Sequence, residues 1–238
     1  MLNPELIKVI TLDLDDTLWP IAPTLERAEA MLQSWLDAAA PQTAAQWRDA
    51  GHRRALRAEV YREHAALAHD LTHLRLEMIA LALRRAGEDP ALAGPAFEVF
   101  FAERQRVDCY ADALPALERL AARYPLLTLS NGNADVERAG LGQHFTTQVS
   151  ARVAGVAKPD RRIFARAAEV AGVAPHEILH VGDDAELDVI GALEAGMQAV
   201  WINRHGQCWE HEALRPHLEA ADLLVVCAAL GLSGSQDS

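Results

Sequence analysis

Asp13, Asp15 and Thr17 stand at alternate positions in Asp13-Leu-Asp-Asp-Thr-Leu18, directly after the apolar run Ile7-Lys-Val-Ile-Thr-Leu12. Carboxylates at this spacing suit a hard divalent cation, and one of them can supply a nucleophilic oxygen. Asp and Thr are also common where a strand turns into a loop, so the hexapeptide alone leaves both readings open. Ser130-Asn131-Gly132 offers a hydroxyl and main-chain N–H groups, which cradle phosphate at a helix start. Ser and Asn are equally ordinary N-cap residues there. Lys158, held extended by Pro159, offers an ammonium that can neutralise phosphate or keep a carboxylate ionised. The chain has only one other lysine, Lys8, which favours a particular role for Lys158. Asp183, Asp184 and Asp188 follow Gly182, and helix capping accounts for one of these acids but hardly for all three. Added to Asp13 and Asp15, they form a group of like charges that needs a cation to remain ionised.

The elements that must position these groups follow from periodicity. Ile7–Leu12 has the length and β-branched content of a buried strand, which sets Asp13 and Asp15 at its C-terminal end, where open α/β sheets bind ligands. From about Thr24 to Arg106 apolar residues fall at helical spacing, as in Leu25, Ala28, Met31, Leu32 and Trp35. Breaks at Ala40-Pro41, Asp70–Thr72 and Gly87–Pro90 predict about four helices. After Cys109 strands and helices alternate: helix 113–124, strand 125–130, a short helix from about Ala134, a strand near 146–149, and helix 160–171 ending at Gly172. Strand 178–181, helix 186–195, strand 198–202 and an edge strand over 222–226 follow. This alternation predicts an α/β fold, a parallel sheet flanked by helices, with a helical domain inserted. The expected division is 1–19 with 109–232 for the sheet domain, 20–108 for the insertion, and a disordered tail over 233–238.

Bulk properties narrow the function classes. A net charge of −12 argues against nucleic acid and anionic membranes as partners. Three scattered cysteines form neither a disulfide framework nor a CxxC site. No secretory signal or membrane-spanning run is visible, so a cytoplasmic location is expected.

The four segments in this order resemble the haloacid-dehalogenase superfamily, whose pattern is DxDxT, then Ser or Thr, then Lys, then an acidic GDD or GDxxxxD motif. The resemblance covers essentially the whole chain, with the insertion where that family carries its helical C1 cap. It implies a Rossmannoid core and a Mg²⁺-dependent phosphohydrolase acting on a small phosphorylated metabolite, as monomer or homodimer. By the same resemblance Asp13 is the nucleophile, Asp15 the general acid–base, and Ser130, Asn131, Gly132 and Lys158 hold the phosphoryl group. Mg²⁺ is expected on Asp13, the Asp15 carbonyl and Asp183, with Asp184 and Asp188 behind them and Thr17 orienting the Asp13 loop.

Asp13–Trp19, Ser130–Ala134, His180–Asp184, Gly196–Ala199 and His69–Arg75 are similar to the branch of bacterial phosphatases acting on flavin mononucleotide or on riboflavin precursors. On that likeness Trp19, Asp70, Thr72 and Arg75 are expected to line the substrate pocket; capping and solubilising a bundle helix is the plainer role for the cap residues. Dehalogenases of the same superfamily carry tyrosine at the place of Asp15 and use no metal, which favours phosphate chemistry here. A phospho-acceptor signalling domain uses similar residues in another order and at about half this length.

Overall fold

The computed structural model describes residues 1–232, so the expected tail 233–238 lies outside the described residues. The chain divides into two compact units, one built from the segments before Ile21 and after Val107, the other Ile21–Val107.

The first unit is a six-stranded sheet of β1 (Val9–Leu12), β2 (Leu126–Ser130), β3 (Thr147–Ser150), β4 (Ile178–Gly182), β5 (Gln198–Ile202) and β6 (Leu218–Ala220). Every pairing is parallel, in the order β3-β2-β1-β4-β5-β6. β1, β2, β4 and β5 are buried at every position, the pattern of strands covered on both faces. Burial of one such Leu or Val side chain stabilises by about 1.5–3 kcal/mol. Helices α6 (Ala113–Ala121), α7 (Ala151–Ala154), α8 (Arg161–Ala171), α9 (Gly191–Glu194) and α10 (Leu223–Ala229) supply the covering layers, with Ile163, Phe164, Val189 and Ala192 joined to Val9, Leu127 and Leu129 in one core.

The second unit is helical: α1 (Ile21–Ala39), α2 (Pro41–Trp47), α3 (Ala50–Glu63), α4 (Leu71–Ala86) and α5 (Ala93–Arg104). Its own core gathers Leu32, Leu36, Trp47, Leu56, Leu74, Ile79, Leu83, Phe97 and Phe100. A fifth helix appears because Asp49 caps α3, its side chain accepting the Gly51 N–H at 2.8 Å.

Three expected elements differ. No helix starts at Ala134. Asp135 accepts the N–H groups of Glu137 and Arg138, and a single turn closes at Gly140, whose φ is 77°. The segment expected as one helix over 186–195 is a π-helical stretch, Ala185–Ile190, followed by α9. The expected strand 222–226 is the start of α10. Asp222 accepts the Val225 N–H, and Leu223, Val226 and Cys227 are buried at helical spacing.

Candidate active site

The strand order reverses direction between β1 and β4, the switch point at which an open α/β sheet leaves a crevice beyond its C-terminal strand ends. β1 delivers Asp13 there and β4 delivers Asp183; the neighbouring β2 ends at Ser130.

Lys158 lies at the centre. Its Nζ donates to Asp13 Oδ1 at 2.6 Å and to Asp188 Oδ1 at 2.5 Å, and all three side chains are buried. The lysine is held from the next strand loop: Asn131 Oδ1 accepts the Lys158 N–H at 2.7 Å and Asn131 Nδ2 donates to its carbonyl at 3.0 Å. The Lys158–Pro159 peptide is cis. Ser130 is buried, and its Oγ accepts the Gly132 N–H at 3.0 Å. The expected helix start behind Ser130 is absent, so donors there come from loop main chain rather than from a helix end.

Asp188 accepts three hydrogen bonds. Oδ1 accepts Lys158 and His180 Nε2, and Oδ2 accepts the Asp184 N–H at 3.1 Å. A carboxylate only accepts, so His180 carries its proton on Nε2 and takes the Thr11 hydroxyl on Nδ1 at 2.9 Å. Gly182 makes the close approach possible: a Cβ there would sit 2.3 Å from Asp188 Cγ. Asp184 is exposed and caps the π-helical stretch, accepting from the N–H groups of Glu186 and Leu187.

Thr17 donates to Asp183 Oδ1 at 3.0 Å, and Trp201 Nε1 donates to the Asp183 carbonyl at 2.8 Å. The loop bearing Thr17 is braced from β5. Arg204 donates to the Thr17 carbonyl at 2.8 Å, pairs with both oxygens of Asp112 and lies 3.8 Å over the Tyr110 ring. The turn Asp15–Trp19 closes on itself through the Asp16 N–H on the Trp19 carbonyl at 2.7 Å, with Asp16 at φ 60°. Trp19 is fully buried, and its Nε1 donates to Asp15 Oδ1 at 2.9 Å.

The electrostatics follow from one ammonium, paired with Asp13 and Asp188, in a group of three carboxylates. Burial lifts the Asp13 carboxyl well above the ordinary range; Lys158 opposes this, and Asp188 and Asp183 add to it. Asp183 is pushed up to about 7 by burial and by repulsion from Asp188, against the hydrogen bond from Thr17. Burial works against the Asp188 charge too, but Lys158 and His180 overcome it and hold the carboxyl low. Burial also pulls on Lys158, yet Asp13 and Asp188 keep it firmly protonated. His180 is lowered by burial and therefore neutral at pH 7.

Asp13, Asp183 and Asp188 each offer an oxygen within 4.8 Å of the others. Asp188 is engaged by Lys158, His180 and the Asp184 N–H, so Asp13 and Asp183 carry fewer protein bonds and are the better placed of the three to take a cation. Burial and mutual repulsion lift both carboxyls, and a hard divalent ion on their oxygens would favour the ionised forms. The donor set thus fits a hard divalent cation.

The expected pocket residues of the helical unit are engaged within it. The Asp70 side chain caps α4 by accepting the His73 N–H at 3.0 Å, and Thr72 is buried in its first turn. Arg75 pairs with Glu29 and lies 4.2 Å over the Phe100 ring. Asn131 is expected from the sequence to hold the phosphoryl group, and its side-chain grip on Lys158 adds a second part; His180 and Arg204 have parts here that their sequence context did not signal. The only hint for Arg204 was its place two residues after a strand.

Comparison with known proteins places this arrangement. A model of the haloacid dehalogenase-like hydrolases matches residues 7–196. The Escherichia coli (strain K12) 5-amino-6-(5-phospho-D-ribitylamino)uracil phosphatase YigB is 35% identical over 225 residues, 91% of this chain and 93% of that protein. Phosphoserine phosphatase of Thermus thermophilus is 39% identical over 63% of each chain. Among solved structures, 2-haloacid dehalogenase from Pseudomonas syringae pv. tomato DC3000 aligns with a TM-score of 0.89 at 37% identity, covering 94% of this chain and 98% of that one.

Proposed function

As the chain belongs to the haloacid dehalogenase-like hydrolases, we propose that it hydrolyses phosphomonoesters through an aspartyl-phosphate on Asp13. The observation that carries the reading is Asp15. A second carboxyl two residues beyond the nucleophile, oriented by a hydrogen bond, is what ester cleavage needs and halide departure does not.

A carboxylate oxygen of Asp13 attacks phosphorus and forms the new P–O bond while the ester P–O bond breaks. The leaving oxygen takes a proton from Asp15. Water then attacks the phosphorus of the aspartyl-phosphate and gives its proton to Asp15, releasing phosphate and restoring the Asp13 carboxylate. Lys158 keeps Asp13 ionised before attack and balances phosphoryl charge, together with Ser130 and the main chain of Asn131 and Gly132. Mg²⁺ would be held by Asp13, Asp183 and the Asp15 carbonyl, and would supply charge neutralisation at the phosphoryl oxygens. Thr17 and Asp188 hold Asp183 and Lys158 in place, and Asp184 supports Asp188 from its main chain.

For the substrate, the name of the Escherichia coli relative supports a ribitylaminouracil phosphate, and the motif likeness adds flavin mononucleotide as a second candidate. In this reading Ile21–Val107 is the cap, with Asp70, Thr72 and Arg75 on its α4 contributing to substrate selection. No helix of the described residues is long and apolar enough to cross a membrane. The net charge of −12 disfavours nucleic acid and anionic membranes as partners, and a small phosphorylated metabolite would depend on Lys158 and a bound cation to reverse that field locally.

The Pseudomonas syringae structure favours a second reading, 2-haloacid dehalogenation by the same nucleophile. One experiment separates the two: purified protein with Mg²⁺ is assayed on a phosphomonoester panel that includes flavin mononucleotide, and on 2-chloropropionate. Phosphate release that is lost on chelation and in Asp13→Asn supports the proposal. Chloride release without phosphate release overturns it. Equal rates on flavin mononucleotide and on generic sugar phosphates would remove the substrate assignment alone.

A further inference from the structure

The geometry points to Arg204 as the positioning residue for Asp183: through the Thr17 carbonyl it fixes the hydroxyl that orients this carboxylate for a divalent cation. The inference rests on the reading of Asp183 as a cation ligand and adds a residue from the loop after β5.

Arg204 is presented by a loop that closes on itself. The Asn203 N–H extends the β5–β6 ladder to the Ala220 carbonyl at 2.8 Å. The Asn203 side chain accepts the Gln207 N–H and donates to the Gln207 carbonyl, both at 2.8 Å, and it donates to Glu219 at 2.7 Å. From this loop the planar guanidinium donates to both Asp112 oxygens at 2.9 Å and to the Thr17 carbonyl at 2.8 Å. Asp112 also accepts the Leu223 N–H at 2.9 Å, and the Arg204 Cζ lies 3.8 Å from the centre of the Tyr110 ring. The Arg204 and Asp112 side chains are only 11% and 12% exposed, so solvent screens their pairing little. A two-pronged pair of this kind permits one geometry, and the Thr17 carbonyl is bonded to its rigid side.

Thr17 passes that position on. It is fully buried, one rotatable bond separates its main chain from its hydroxyl, and branching at Cβ stiffens that bond. Where Arg204 holds the carbonyl, the hydroxyl follows, and it donates to Asp183 Oδ1 at 3.0 Å. The Asp183 main chain has an anchor of its own, the Trp201 indole N–H on its carbonyl at 2.8 Å. Loss of the Arg204 fork therefore loosens the carboxylate and leaves the strand end in place. Groups that orient a metal ligand from behind typically change metal affinity by about 10–100-fold when removed.

The test counts bound Mn²⁺, a hard cation that carboxylates hold, from the loss of the free-ion EPR signal on adding the full chain. Asp183→Asn sets the background. Arg204→Lys keeps a positive charge beside Asp112 but lacks the fork that reaches both partners, and is expected to raise the Mn²⁺ Kd about tenfold. Thr17→Val, which exchanges the hydroxyl for a methyl, is expected to do the same. The double variant should bind Mn²⁺ no more weakly than Thr17→Val alone, because both changes cut one chain of contacts. Where Arg204→Lys does not fold, Arg204→Gln with Asp112→Asn removes both charges together and leaves no buried ion unpaired. An unchanged Kd in the arginine variants, or losses that multiply in the double variant, means that Arg204 only ties the fold together, and overturns the proposal. Wild-type protein that binds no Mn²⁺ above the background defeats instead the cation reading on which it rests.

Discussion

Asn131 grips the main chain of Lys158 from both sides, Oδ1 accepting its N–H at 2.7 Å and Nδ2 donating to its carbonyl at 3.0 Å. The loop after β2 thereby sets where the ammonium meets Asp13. Asn131→Ala removes both bonds, and kcat/KM on a phosphomonoester should fall by about 10–100-fold, the cost of a misplaced catalytic group. Asn131→Asp keeps the acceptor and loses the donor, so its activity should lie between. Steady-state kinetics on the three proteins decide the matter; wild-type rates in the alanine variant would mean that Lys158 keeps its place unaided.

Gly182 leaves the space that Asp188 occupies, with 2.3 Å between a Cβ there and Asp188 Cγ. Gly182→Ala should displace the carboxylate from Lys158 and His180 and destabilise the fold by about 3 kcal/mol, as for a broken buried ion pair with overpacking. Urea unfolding should show this loss, together with loss of turnover. An unchanged midpoint would contradict the close contact.

Asp16 adopts φ 60°, left-handed backbone that Asp tolerates better than most residues and a β-branched residue resists. Asp16→Gly should fold with near wild-type stability. Asp16→Val should lose about 1–3 kcal/mol. Thermal melts of the two variants give the comparison, and equal melting temperatures would show that the turn can relax.

Glu88 accepts the N–H groups of Gln42 and Thr43 at 3.0 and 2.8 Å, capping α2 from a distant part of its unit. Partial burial raises its carboxyl, but the bonds from Thr43 and Gln42 outweigh this and hold it below the ordinary glutamate value. A folded value below the unfolded one means that the cap stabilises above the ordinary glutamate range. That contribution disappears as pH falls through the lowered value. Glu88→Ala should therefore cost about 0.5–1 kcal/mol at pH 7 and progressively less as pH falls through the lowered value. A cost independent of pH would point to packing rather than to charge.

Much of the sheet was legible because a buried parallel strand is a short apolar run. Gln198–Ile202 and the end of β1 before Asp13 show this directly. Asp222–Val226 misled for the same reason: five residues with two leucines and two valines fit a strand, and only the Asp222 cap and the spacing of Val226 and Cys227 select a helix. The stretch after Ala134 has the residues of a helix start, and Asp135 accepts the Glu137 N–H as a cap would, but the chain closes a single turn at Gly140 and goes no further. At the site, carboxylates and lysine announce themselves by type and order. Asn131 was legible as a site residue, but its grip on Lys158 was not, and His180 and Arg204 were not legible at all, because each of these bonds joins groups that only the tertiary register brings together.

One feature of the first strand loop reaches beyond chemistry. The Tyr110 N–H meets the Leu18 carbonyl at 2.9 Å, so the chain leaves the sheet unit and rejoins it at almost the same point. The whole of Ile21–Val107 is spliced into a gap one hydrogen bond wide. Because the rim of that gap is stitched by the sheet unit's own backbone, the length of what is spliced in adds little closure entropy to folding. The junction is in effect a socket. Helical inserts of other sizes could be grafted between Pro20 and Asp108 with Asp13 and Lys158 left undisturbed, which makes the position a natural place for recombination between relatives and for protein engineering.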